Sequence, residues 1–171
     1  MNPTTAIWIF GIAFGIAIAL AAIASFNKDH KVRTKYDERQ LRARGDAYRY
    51  GFFATVFSCF LLMVLDTADV LGILGYSTYF IAIIIGIVTQ FTYSIFHDAY
   101  VGLNTNLKKY LIFMSVVGAI NLFSGIMPLI GGEFMEDGHF GTSFINLLCG
   151  GLFLVLAGEL VVKKILDKKE N

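Results

Sequence analysis

Five stretches of this chain are apolar and close to the length a helix needs to cross a bilayer, and nothing else in the sequence limits the fold so tightly. They run over 5–24, 50–65, 76–96, 110–130 and 143–162, against a requirement of about 20 mainly apolar residues per crossing. The second is short by itself, but Tyr48 and a snorkelling Arg49 extend it. Charged residues make up 16% of the chain, against about 25% in a soluble domain, and they are clustered. The expected fold is an all-α membrane protein of five transmembrane helices, a single helical domain over 1–171 with no separate soluble part.

The bases set the expected orientation. Eight of the fourteen Lys and Arg lie between Lys28 and Arg49, two are Lys108 and Lys109, and four are Lys163, Lys164, Lys168 and Lys169. With five spans these three regions fall on one side. The opposite side, 66–77 and 131–142, carries Asp66, Asp69, Glu133, Glu136 and Asp137 and no base. The positive-inside rule then places the N-terminus outside and the C-terminus in the cytoplasm. A formal net charge of +1 hides this asymmetry entirely.

The longest charged segment is 34–51, TKYDERQLRARGDAYRYG, which runs directly into the second span. Its spacing predicts a cytoplasmic juxtamembrane helix over 34–50, with Thr34, followed by Asp37, as its N-cap and Asp37 and Glu38 in the first turn, where the helix dipole favours acids. On one side Tyr36, Gln40, Ala43, Ala47 and Tyr50 repeat at four, three, four and three, a narrow seam on which a second helix settles. On the other side Glu38, Arg42, Asp46 and Arg49 alternate in sign, a ladder of ion pairs worth about 0.2–0.5 kcal/mol each. Gly45 argues against rigidity at a cost of about 1 kcal/mol. The plainer alternative is a solvated extension of the span.

The first span has the small-residue run Ala22-Ile23-Ala24 but no base ahead of it, and its apolar core exceeds the 7–15 residues of a secretory signal, so it is expected to be retained. Gly11, Gly15 and Ala19 make a stripe of small residues at four-residue spacing. Cys59 and Cys149 lie in spans without a CxxC pattern and read as packing residues. Residues 66–75 mix acids with apolar residues, as a short interfacial turn would. After span three, His97 and Asp98 fall at the headgroup level, where they either solvate a helix end or form a clamp in which Asp98 pairs with Arg44 or Arg49. Asn121 in span four and Asn146 in span five are expected to hydrogen-bond across a helix interface, on faces that also carry Gly118, Gly125 and Gly150. Glu159 stands four residues before Lys163, the favourable orientation for an ion pair. A faint echo relates Thr78-x-Phe80-Ile81…Gly86 to Thr142-x-Phe144-Ile145…Gly150, as two parallel hairpins would, although in a chain this rich in Ile, Phe and Gly chance gives such matches more often than duplication does.

The residues Tyr36-Asp37-Glu38-Arg39-Gln40, Ala43-Arg44-Gly45, Tyr50-Gly51-Phe52-Phe53 and His97-Asp98-Ala99-Tyr100-x-Gly102-Leu103-Asn104 resemble a group of small multi-span membrane proteins of Gram-positive bacteria, largely uncharacterised, with a juxtamembrane DERQ…RG motif. The resemblance implies a bacterial plasma membrane and brings no catalytic residues with it.

Function is read from what the polar segments offer. The leading expectation is a non-enzymatic membrane protein whose cytoplasmic helix and loop dock a partner protein or a second copy. The alternative is a small transporter or channel subunit with Gln90, Asn121 and Asn146 lining a pore. No HExxH, GxSxG, phosphate loop or paired-carboxylate pattern appears, and His30, His97 and His139 are scattered. No cofactor is expected, although Glu133, Glu136, Asp137 and His139 form an acidic loop of the kind that can hold a cation. The basic region sits against a membrane with acids interspersed among its bases, which favours anionic lipid headgroups over nucleic acid as its partner, at about 1 kcal/mol per base near the surface.

Overall fold

The structure is a computed structural model, and it describes residues 16–68 and 70–170. Four of its helices are long and apolar enough to cross a membrane: α2 (Glu38–Thr67), α3 (Ser77–Phe96), α4 (Leu107–Gly131) and α5 (Thr142–Glu170). They identify a multi-pass membrane protein. Of the expected first span, residues 5–15, with Gly11 and Gly15, lie outside the described residues; the described part is the apolar helix α1 (Ile16–Phe26).

The expected juxtamembrane helix and second span are one helix of 30 residues. It begins at Glu38, because Asp37 rather than Thr34 is the N-cap: Asp37 accepts from the Gln40 amide at 2.7 Å and Gln40 Oε1 accepts from the Asp37 amide at 3.2 Å. This reciprocal box satisfies two amides that the first turn would otherwise leave open. Residues 34–37 are not helical.

Packing follows small residues, as it must where lipid is as apolar as leucine and only close contact rewards association. Helix α2 meets α3 at Gly51 and Gly86: a Cβ built on Gly86 would lie 1.8 Å from Thr55 Oγ1 and 3.0 Å from the Gly51 carbonyl. Helix α4 meets α5 at Gly150, where a Cβ would stand 2.7 Å from the Leu122 amide nitrogen. The two glycines of the sequence echo thus both mark the crossing of a hairpin. Helix α3 joins the hairpins, since Ile95 is buried with Met114 of α4 and Leu156, Ala157 and Leu160 of α5. The outer surfaces keep large apolar side chains exposed, among them Phe57 and Phe60 of α2.

Asn121 does not reach across the α4–α5 interface. Its carboxamide donates to the Val117 carbonyl one turn back in its own helix at 2.9 Å, and Asn146 is partly buried beside that interface. A bond within the helix is available in any packing, whereas a cross-helix bond needs a partner at the right height.

At the end opposite the bases, residues 66–75 close with a 3-10 turn (Gly72–Leu74). The acidic loop contains a small antiparallel hairpin, β1 (Met135–Glu136) with β2 (His139–Phe140). Its turn is Asp137-Gly138, both at positive φ (50° and 82°), the geometry that an Asp-Gly pair favours. Glu136 does not stand free for a cation: its carboxylate accepts from the Thr142 amide at 3.2 Å and hydroxyl at 3.1 Å, where α5 begins. His139 Nδ1 is hydrogen-bonded to the Gly72 carbonyl, tying the two loops.

Candidate functional site

The polar residues singled out above gather at the basic end of the bundle, where the C-termini of α1, α3 and α5 meet the N-termini of α2 and α4. A helix C-terminus leaves four carbonyls without intrahelical partners, and α3 ends in a turn with Asp98 at φ 57°. The amides of His97, Ala99 and Asp98 fold back onto the Tyr93, Ser94 and Ile95 carbonyls, and Gln40 serves the turn that follows. Its amide nitrogen donates to the Asp98 carbonyl at 2.6 Å and the Val101 carbonyl at 3.2 Å, while its oxygen closes the α2 box. Only 5% of the residue is exposed. Arg44 takes the next carbonyl, Ala99, at 3.3 Å, and its guanidinium lies 4.2 Å over the Tyr36 ring and bonds the Tyr48 hydroxyl at 2.9 Å.

The seam Tyr36, Gln40, Ala43, Ala47 and Tyr50 is therefore real as a face, but the chain itself occupies it. Ala47 is 1% exposed and Ala43 partly buried, while Tyr50 leans on Tyr93 of α3 at 4.9 Å between ring centres and keeps half its surface exposed. The buried middle of the seam, Gln40 to Ala47, is closed to a partner helix.

The expected clamp also forms with other partners. Asp98 pairs with Arg39 at 3.6 Å and with Lys163 of α5 at 3.0 Å, not with Arg44 or Arg49. Arg44 is engaged by the Ala99 carbonyl and the Tyr48 hydroxyl, and Arg49 is exposed. His97 stacks flat on Tyr93 (3.8 Å, 12°), its Nδ1 2.9 Å from the Tyr93 carbonyl. Lys163 is shared with Asp167 at 2.6 Å, so the expected Glu159–Lys163 pair does not form. Nor does the ladder: among the described residues no ion pair joins Glu38, Arg42, Asp46 and Arg49, all of which are exposed.

Two asparagines complete the assembly. Asn104 donates to the Asp29 carboxylate at 3.0 Å and the Arg33 carbonyl at 3.2 Å and accepts from the Lys35 amide at 2.8 Å, while its own carbonyl accepts from the Lys28 amide at 2.6 Å. Asn27, 1% exposed, donates to the Lys31 carbonyl at 2.6 Å and accepts from the Thr105 hydroxyl at 3.0 Å. Each is buried with its carboxamide matched, which makes such networks specific to one arrangement. Gly102 lets the two loop segments touch: a Cβ there would lie 2.1 Å from Thr34 Cγ2 and 2.9 Å from the Lys35 carbonyl. Burial pushes the Asp29 carboxyl up, but bonds from Asn104 and the Lys31 amide, with Lys35 alongside, outweigh it and hold the group below its ordinary 3.8.

Beneath this layer a cavity of about 220 Å³ lies between the helices, lined by Phe26, Tyr36, Arg44, Phe91, Tyr100 and Tyr110 among others. The Tyr100 and Tyr110 hydroxyls bond each other there, and Tyr100 also approaches Met114 Sδ at 3.8 Å. Burial pushes the Tyr100 phenol far above its ordinary range, so it stays a neutral donor.

Sequence reading found Gln40, Arg44 and Asp98 but missed Asn27, Lys163 and the tyrosine pair as members of the same unit. The signal available for Asn27 was its place, the first polar residue to end an apolar run. Comparison of the chain with protein-family models, with curated proteins and with solved structures gives no match.

Proposed function

We infer that this is a non-enzymatic integral membrane protein of the bacterial plasma membrane, with five spans, the N-terminus outside and the basic end in the cytosol, and that it docks a partner protein through the outer face of the first turns of α2. One observation carries the reading. Glu38, Arg42, Asp46 and Arg49 alternate in sign along an exposed face and bond none of one another, while the opposite face of the same helix is fixed through Gln40, Arg44 and Ala47. A pattern of charges held rigidly is what a charge-complementary partner reads, giving specificity and association rate more than affinity. The bases around it, Lys164, Lys168 and Lys169 included, suit anionic headgroups at the inner surface.

A photoreactive residue placed at Arg42 or Asp46 in living cells is expected to give a discrete protein adduct, with the same probe at the exposed span residue Phe57 as the control. Absence of an adduct at both positions loses the docking reading. The transport alternative finds less support, because Asn121 is bonded within its own helix and Gln90 packs on Gly51, where a Cβ would come within 2.8 Å of it.

A further inference from the structure

Glu159 is the acid whose expected partner went elsewhere. Lys163, one turn on, is held by Asp98 at 3.0 Å and Asp167 at 2.6 Å. At a rise of 1.5 Å per residue, Glu159 lies about 6 Å deeper along α5 than that network. It is half-buried, and among the described residues no base comes within ion-pairing distance of it. Among the described residues its carboxylate is hydrogen-bonded by the Thr92 hydroxyl of α3 alone, 2.8 Å from one oxygen and 3.0 Å from the other. One hydroxyl has one proton to donate, and a carboxylate has about four acceptor positions. An acid at membrane depth in this condition marks a site, because ionised carboxylates in hydrocarbon are retained only with a partner.

Thr92 connects the acid to a groove. With Tyr50, Val88, Thr89 and Tyr93 it lines an open cleft of about 550 Å³ between α2 and α3. The Tyr50 and Tyr93 rings form one wall, 4.9 Å apart and tilted by 47°. Thr89 adds no free donor, since its hydroxyl is bonded to the Ile85 carbonyl at 2.8 Å. The lining is two aromatic rings, two threonines and a valine, with no Lys or Arg; the Glu159 carboxylate stands behind Thr92, and His97 covers one face of the Tyr93 ring. Such a cleft is complementary to a cation that carries apolar bulk, since aromatic rings attract ammonium groups by their quadrupoles.

We propose that Glu159, Thr92 and the Tyr50–Tyr93 wall form a membrane-level binding site for an amphiphilic organic cation, an ammonium-type head on an apolar body. Tetraphenylphosphonium is a suitable probe, titrated by calorimetry into the full-length protein in the neutral detergent dodecylmaltoside. Saturable binding of one probe per chain is expected, weakened at least tenfold in Glu159→Gln and a few-fold in Thr92→Val. Thr89→Trp, which fills the cleft and leaves the acid in place, should abolish it. Gel filtration of each variant separates lost binding from lost fold. Lack of saturable binding by the wild-type chain overturns the proposal, and so does equal affinity in Glu159→Gln. Two sources of such a cation are told apart by competition: displacement by phosphatidylethanolamine but not phosphatidylglycerol assigns the site to a lipid amine, and displacement by neither assigns it to a free amphiphile.

Discussion

Gln40 shows how much one side chain holds at the basic end. It closes the α2 capping box and satisfies two carbonyls from a turn some sixty positions later in the chain. Gln40→Ala removes a cap contact and leaves those carbonyls buried without donors, so a loss of roughly 2 kcal/mol is expected. Thermal unfolding in detergent checks this, and an unchanged midpoint contradicts it. Asp29 gives the matching test in pH. Its folded carboxyl titrates below its ordinary 3.8, so its contribution is complete above about pH 4 and is lost as pH falls through the folded value. The protection of the Lys31 and Lys35 amides, taken against the intrinsic exchange rate at each pH, should therefore fall as the sample is acidified below pH 4 in the wild type. In Asp29→Asn it should be low already at pH 6.

At the scale of elements, glycines separate contact from mere composition. Nothing lies within 4 Å of a Cβ added at Gly45, so Gly45→Ala should stabilise α2 by about 1 kcal/mol. Gly102→Ala drives a methyl into Thr34 and Lys35 and should cost about 1–3 kcal/mol. Paired unfolding curves that show the same sign for both would refute the packing described. The helices themselves were legible because apolar length is a local property, and α3 starts and stops within a residue of its expected bounds. The start of α2 was misplaced, because Thr34 and Asp37 both carry capping side chains and only the Asp37–Gln40 box closes. What covers the Gln40–Ala47 face was not legible. Its occupant is the 98–101 turn, and nothing in either segment names the other. Likewise the choice of Arg39 and Lys163 over Arg44 and Arg49 as partners of Asp98 depends on α5 lying beside α3, a matter of helix order that hydropathy does not encode. The hairpin at 135–140 was written in Asp137-Gly138, but its flanks are too short to announce strands.

For the whole molecule, the bases of α2, α4 and α5 come together at one end, and the acidic loops tie to each other at the other through His139 and Gly72. The proposed function requires the basic end to face the cytosol, so that the charged face of α2 meets soluble partners. Single cysteines in a background with Cys59 and Cys149 replaced by serine test this by labelling with a membrane-impermeant maleimide. Asp137→Cys should label in intact cells, and Arg42→Cys only once the membrane is opened. Labelling of Arg42→Cys in intact cells, with Asp137→Cys protected, would contradict the account and remove the surface on which docking depends.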